Sequence, residues 1–321
     1  MDISVAILVY KSNYKSVLAT VMSVIKQSYQ SYEIVISDDG TDSLDYDSLK
    51  NEIESKWQGK LIILNNPENV GTIQHCINVA SVCTGRYIKL LGAGDLLHDP
   101  YSLQSIVDFM DKNYLKVGIG RITGYTRSSN KTQLFTYKAP LYDVPYLEGN
   151  IKSIRRNLVY MKDWICGASM FFNREYMIEK FKVLGEHLRY VEDLSEYLVV
   201  FDNEKIMMMD QVIVYYELNS GISTNPTEST SSFTKNDFIS FWRMIENYTD
   251  DPKEAIRFRA YAKIESLTKS ERYKGLLLRF RYDRWFYVML IRRRLVNGVL
   301  VKKEKTPGFL SEENPIMCDS L

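Results

Sequence analysis

The sequence predicts an α/β fold: a doubly wound, mostly parallel sheet with a C-terminal helical extension. Three observations carry this prediction. Short β-branched apolar runs alternate with helically spaced segments through roughly the first 125 residues. Those runs lack polar alternation, as strands buried on both faces do. Beyond Asn236 the chain reads as helix to about Val301.

The elements follow in order. Ile3 to Val9 (ISVAILV) reads as the first strand. Tyr14 to Gln27 is helical, with Val17, Leu18, Val21, Val24 and Ile25 on one face. Glu33 to Ser37 is the second strand, ended by the turn-forming cluster Asp38-Asp39-Gly40-Thr41-Asp42. Leu44 to Lys56 can be helical, Leu61 to Leu64 is the third strand, and Asn65-Asn66-Pro67 ends it. Thr72 to Val82 is a helix, and Tyr87 to Leu91 a fourth strand closed by Gly92-Ala93-Gly94-Asp95. Tyr101 to Asn113 is again helical and Val117 to Thr123 again a strand. Thr126 to Tyr216 is less regular, and Asn219 to Lys235 is a polar stretch that reads as a loop. In sheets of this kind ligands bind at the carboxyl ends of the strands. The acids and glycines of this chain cluster there.

Composition narrows the function classes. With 321 residues, 45% hydrophobic and 25% charged, the chain is neither disordered nor fibrous. Four scattered cysteines without a CxxC pair argue against a disulfide scaffold and a cysteine-based zinc site. They read as reduced thiols in a cytoplasmic protein. The acidic start and short first apolar run do not fit a signal peptide. No apolar run approaches the ~20 residues that span a bilayer. Net charge is +1, yet residues 272–305 carry eleven bases against two acids, leaving the remainder net negative. Such a basic tail suggests an anionic partner. There is no GxGxxG after the first strand, and no GxxxxGK[ST], HExxH or GxSxG.

What remains is a set of acids at strand ends, within longer matching segments. Val5 to Asn13, Ser23 to Tyr29, and Tyr32-Glu33-Ile34-Val35-Ile36-Ser37-Asp38-Asp39-Gly40-Thr41-Asp42 are three of them. Asn69-Val70-Gly71, Thr84 to Ile88, Gly94-Asp95 and Tyr190-Val191-Glu192-Asp193-Leu194 continue the series. Together these segments resemble the inverting family 2 glycosyltransferases of the GT-A fold, of the bacterial surface-polysaccharide type. The resemblance covers most of residues 3–223 in order and weakens after Tyr101. It implies a GT-A-like catalytic domain over residues 1–223, followed by a mobile polar loop over 224–235. Residues 236–321 read as a helical, basic region, suited either to an anionic membrane surface or to packing with a solvated basic face.

The resemblance also assigns roles. Asp39 would accept the N3–H of a uracil ring, as a strand-end carboxylate can. Asp38, Asn69, Gly71, Gly94 and Asn219 would line the same nucleotide-sugar site, and the backbone of Val9 and Tyr10 would flank the base. Read alone, Asp38 and Asp39 equally fit caps of the turn that follows. Asp95 is the surviving acid of the D-x-D metal motif, implying Mg²⁺ or Mn²⁺ bound with the nucleotide diphosphate. Glu192-Asp193 matches the motif that supplies the catalytic base, with Asp193 in that role and Glu192 beside it. Trp164 would stack on the acceptor sugar, or else serve as a core aromatic. Glu217 stands where Arg is expected and Asn219 where His is expected.

The implied activity moves one sugar from a nucleotide-sugar to a lipid-linked or oligosaccharide acceptor in O-antigen or capsule assembly. The enzyme would be cytoplasmic, with peripheral attachment to the inner face of the cell membrane through its basic region. The eroded metal motif leaves open a catalytically weakened nucleotide-sugar binder. The basic tail leaves open a membrane or nucleic-acid adaptor, although no nucleic-acid fold is recognisable. Which sugar, which acceptor and which oligomeric state are not encoded in any motif.

Overall fold

A computed structural model describes residues 1–41, 44–128, 131–218, 228–295 and 300–302. The chain begins with β1 (Ile3–Val9), α1 (Tyr14–Ile25), β2 (Tyr32–Asp39), α2 (Tyr46–Lys56) and β3 (Lys60–Asn66). It continues with α3 (Thr72–Val82), β4 (Tyr87–Gly92), the short β5 (Leu96–Leu97) and α4 (Ser102–Asn113). Side chains cap the first two helices: Asn13 accepts the Ser16 N–H at 2.9 Å, and Asp45 the Ser48 N–H at 2.9 Å.

β3, β2, β1 and β4 lie side by side and parallel. Because all four point the same way, Val9, Asp39, Asn66 and Gly92 end at one edge of the sheet. Successive side chains of a strand face opposite layers. On β1, Ile3, Val5, Ile7 and Val9 join a core with α1, α2 and α4. Ala6 joins a second core that includes Ile73, Cys76 and Val79 of α3. These two cores on opposite faces are the physical content of the doubly wound prediction.

The region the sequence shows as less regular extends the sheet. β6 (Val117–Ser128) and β7 (Lys131–Tyr137) form an antiparallel pair. Two short helices follow, α5 (Val144–Leu147) and α6 (Ile151–Arg155). β8 (Met170–Asn173) inserts antiparallel between β4 and β6. α7 (Arg174–Gly185) and α8 (Ser195–Phe201) precede β9 (Ile206–Glu217), which runs parallel to β6 and antiparallel to β5.

Two boundaries of the sequence reading change. α9 (Glu228–Tyr248) begins eight residues before Asn236, so the end of the expected polar loop is helical. α9 and α10 (Pro252–Ser266) are not an appendage either. Phe241, Trp242, Ile245, Phe258 and Tyr261 belong to the same buried core as α3, α7 and α8. Trp242 stacks on Phe258 at 5.7 Å and meets Tyr261 edge-on at 4.8 Å. α11 (Arg272–Tyr282) and α12 (Arg284–Leu295) pack more lightly, through Leu278 against the main core, through Met289 with Leu141 and Met161, and at their junction. There the buried Asp283 accepts hydrogen bonds from Tyr261 and Arg279, both at 3.2 Å, and pairs with Lys162 at 3.5 Å. The chain then returns as a strand, β10 (Leu300–Lys302), on the edge of β7 rather than as helix.

Candidate active site

A cavity of about 330 Å³ opens at the carboxyl edge of the parallel strands. Its walls include Tyr10 after β1, Gly92, Ala93 and Asp95 after β4, and Gly167 and Ala168 before β8. Glu192, Asp193 and Ser195 enter from the turn before α8, Glu217 from the end of β9 and Thr234 from α9. Asp95 and Asp193, far apart in sequence, thus share one hollow.

Asp95 is held rigidly. One carboxylate oxygen accepts the Glu217 N–H at 2.9 Å and the other the Gly92 N–H at 3.3 Å. Burial pushes its carboxyl up to about 7, against those N–H groups and the Lys89 ammonium. Lys89, a charged residue inside a buried strand, donates to the carbonyls of Ala168 and Met170, the latter at 3.1 Å. It therefore fastens the Ala168–Met170 segment to the strand that leads to Asp95. Burial in turn pulls the Lys89 ammonium down to about 7.

The Glu192–Leu194 turn presents two carboxyls to the cavity. Burial, then the Asp193 charge, pushes Glu192 up to about 8. Burial pushes Asp193 up to about 6, and the Gly167 N–H beside it pulls partway back. Burial thus raises both carboxyls, and each one's charge opposes ionisation of the other, so the pair titrates together above the ordinary carboxylate range. The Asp193 Oδ1 and Ser195 Oγ atoms are buried without a hydrogen-bond partner. A donor from a bound molecule would satisfy the Asp193 oxygen. Two glycines make the room. A Cβ at Gly167 would lie 2.2 Å from Asp193 Oδ1, and one at Gly94 2.0 Å from Glu217 Oε2.

Other predicted residues lie elsewhere. Asp38 is fully buried and off the cavity wall: it accepts the Thr41 N–H at 3.1 Å and the Tyr46 hydroxyl. These partners are the contacts a turn-forming carboxylate makes. Asp39 is also off the wall; it accepts from Asn66 at 3.1 Å, Val70 N–H at 2.9 Å and Gly71 N–H at 3.2 Å. It thereby fixes the Asn69–Gly71 turn just before the cavity residue Thr72. Asn69 offers its carbonyl to Arg189 at 3.0 Å. Val9 is buried between the wall residues Leu8 and Tyr10. Trp164 is 42% exposed and does not line the cavity, so it is neither a core aromatic nor a wall of this hollow. Asn219 lies outside the described residues.

The sequence reading gave no role to Lys89, which ties the Ala168–Met170 segment to β4, or to Asp237 of α9, which accepts the Tyr190 N–H at 2.6 Å just before the Glu192–Leu194 turn. Lys89 alone left a signal, a charge in an otherwise apolar strand.

The residues present do not fit a resident metal ion. Among the described residues no three His, Cys, Asp or Glu side chains converge as a metal-binding group. Asp95 offers a single carboxylate, each oxygen of which accepts one N–H, so it could contribute to a cation held by other ligands but does not by itself make a site.

Comparison with known proteins matches the model named Glycosyl transferase family 2 over residues 4–181, more than half the chain. The chain belongs to glycosyl transferase family 2. Within this family it is 27% identical over 180 residues to an uncharacterized glycosyltransferase of Haemophilus influenzae, covering 52% of this chain and 48% of that relative. It thus spans about half the length of the curated relative it matches. Its fold is similar to Staphylococcus aureus TarS. The residue 1–349 portion of TarS in complex with UDP-GlcNAc gives TM-score 0.53 at 12% identity, over 96% of this chain and 98% of that one. A longer TarS chain gives 0.53 at 13% identity, over 84% and 45%. The GT-A-like architecture of this family 2 chain is therefore shown by sequence family and by fold.

Proposed function

We propose that this family 2 chain is an inverting glycosyltransferase that moves one sugar from a UDP-sugar to a glycan hydroxyl. The observation that carries the reading is the shared hollow: Asp95, at the end of a parallel strand, and Asp193, before α8, open into it together. Such an edge is where nucleotide ligands of these sheets bind. In the reaction the acceptor oxygen attacks the anomeric carbon on the face opposite the nucleotide. The new C–O bond forms as the bond to the diphosphate breaks, and its electron pair leaves with UDP. The acceptor's proton passes to the Asp193 carboxylate. A base raised toward neutrality is ionised at pH 7 yet holds a proton well.

The UDP assignment draws on the strand-end acids and on the UDP-GlcNAc complex of TarS. An ionised carboxylate has about four acceptor positions, and Asp39 uses three, so one is left for a uracil N3–H. The polypeptide turn at Val9–Tyr10 would flank the base. Were Mg²⁺ or Mn²⁺ bound together with the diphosphate, Asp95 would be the carboxylate to hold it, and the ion would neutralise charge on the leaving group.

A lipid-linked acceptor, as in O-antigen or capsule assembly, is supported by α11. Tyr273, Leu276, Leu277 and Phe280 recur at i, i+3, i+4 and i+7, the spacing that usually faces a core. All four are exposed, Leu277 by 67% and Phe280 by 65%. Arg272, Lys274, Arg281 and Arg284 are exposed on the same stretch. Apolar side chains among bases suit an anionic bilayer surface. No helix among the described residues is long and apolar enough to cross a membrane.

The test is UDP release from a panel of UDP-sugars with lipid-linked and oligosaccharide acceptors, with Mn²⁺, Mg²⁺ or EDTA. Asp193→Asn should bind UDP as the unsubstituted protein does and lose about 10²–10⁴-fold in turnover. Wild-type turnover by Asp193→Asn would remove Asp193 from the chemistry. Binding of UDP-sugar without turnover on any acceptor would favour the weakened-binder alternative.

A further inference from the structure

We propose that Asp237 on α9 is a positioning residue that holds the catalytic loop, so that the C-terminal helices decide where Asp193 stands. The inference rests on Asp193 being the base and deepens that reading. Residues 189–191 lead directly into the Glu192–Leu194 turn, and their three consecutive N–H groups all meet one carboxylate. Arg189 N donates to its two oxygens at 3.2 and 3.3 Å, Tyr190 N to Oδ2 at 2.6 Å and Val191 N to Oδ2 at 3.0 Å. Successive N–H groups converging in this way form an anion-binding concavity. Here the anion is a side chain 6% exposed, supplied from 44 residues beyond Asp193.

The helix that carries Asp237 is itself immobilised. Three residues before Asp237, Thr234 lines the cavity. Phe233 packs its ring on Tyr190 at 5.3 Å. One turn beyond Asp237, Phe241 and Trp242 are sealed in the main core. A charged acceptor on a rigid helix thus fixes three backbone groups within four residues of Asp193. Without it those N–H groups are left unpaired and the loop must find another path. The base lies only two residues beyond Val191, so a shifted loop moves it directly.

Asp237→Asn and Phe233→Ala are compared with Asp193→Asn in the full chain. The readouts are UDP binding by calorimetry, kcat and donor KM from UDP release, and thermal stability. Displacing a catalytic group by about 1 Å costs about 100-fold in rate. Asp237→Asn should therefore lose about 100-fold in kcat, with UDP affinity and donor KM within about threefold of the unsubstituted protein. Phe233→Ala, which breaks the ring contact at a half-exposed position, should lose several-fold in kcat and retain its fold. Unchanged kcat in Phe233→Ala together with unchanged kcat, or failure to fold, in Asp237→Asn overturns the clamp. So does an Asp237→Asn protein that melts early but turns over normally per folded molecule. If Asp193→Asn itself turns over normally, the base assignment fails, and the clamp with it; if Asp193→Asn is inactive while Asp237→Asn is normal, the clamp alone fails.

Discussion

Gly167→Ala places a methyl group against the proposed base without touching any charge. The added Cβ would lie 2.2 Å from Asp193 Oδ1, where real contacts to a Cβ essentially never fall below 3.0 Å. About 0.8 Å of relief must be found. The obstructed atom is the tip of a side chain, and the next neighbours, Asp193 Cγ at 3.3 Å and Glu192 Oε1 at 3.6 Å, belong to the same pair of carboxyls. The carboxylate therefore gives way before the backbone does. Misplacing a catalytic group by this much costs on the order of 10² in rate, or about 2.7 kcal/mol of barrier. Alanine also restricts the unfolded chain relative to glycine, a gain of about 0.4–1 kcal/mol that offsets residual crowding. The melting temperature should stay within a few degrees while kcat for UDP release falls about 100-fold and UDP affinity holds. A Gly167→Ala protein with undiminished kcat would show that Asp193 tolerates displacement, which a base in line with an attacking hydroxyl cannot.

Two further outcomes follow from the same structure. Burial pushes the Glu33 carboxyl up, but Lys60 at 2.6 Å, Ser4 at 2.5 Å and Thr84 outweigh it and hold it at about 2. Because this group is depressed in the folded state, its contribution, roughly 2–3 kcal/mol, is complete above the ordinary Glu range of about 4.3 and is lost as pH falls toward 2. Urea unfolding from pH 6 down to 2.5 should show this slope in the natural chain and a flatter one in Glu33→Gln; equal slopes would refute it. On α11, Leu277→Ser with Phe280→Ser should lower partition onto anionic vesicles at least about tenfold, leaving UDP binding and melting temperature unchanged; undiminished vesicle binding would remove this face from the membrane reading.

The sequence by itself determined the parallel half of the molecule. Burial on both faces requires unbroken apolar runs, and a parallel crossover requires a helix between them, so Ile3–Val9 through Tyr87–Gly92 are written locally. The acids at the ends of those strands were legible for the same reason, and Asp95 and Glu192-Asp193 do meet in one hollow. Only the tertiary structure showed which of the strand-end acids line the cavity. Asp38 and Asp95 look alike as strand-end acids, yet one is consumed by Thr41 and Tyr46 while the other faces the hollow. It was also the tertiary structure that placed α9 in the main core and Asp237 beneath the catalytic loop. A carboxylate's partners there come from backbone N–H groups, which every residue carries, so nothing in the side-chain pattern of residues 189–191 announces the contact. Long-range hydrogen bonds to backbone leave no periodicity, and that is why the Glu192-Asp193 pair was readable from sequence while the contact of α9 with the segment before it was not.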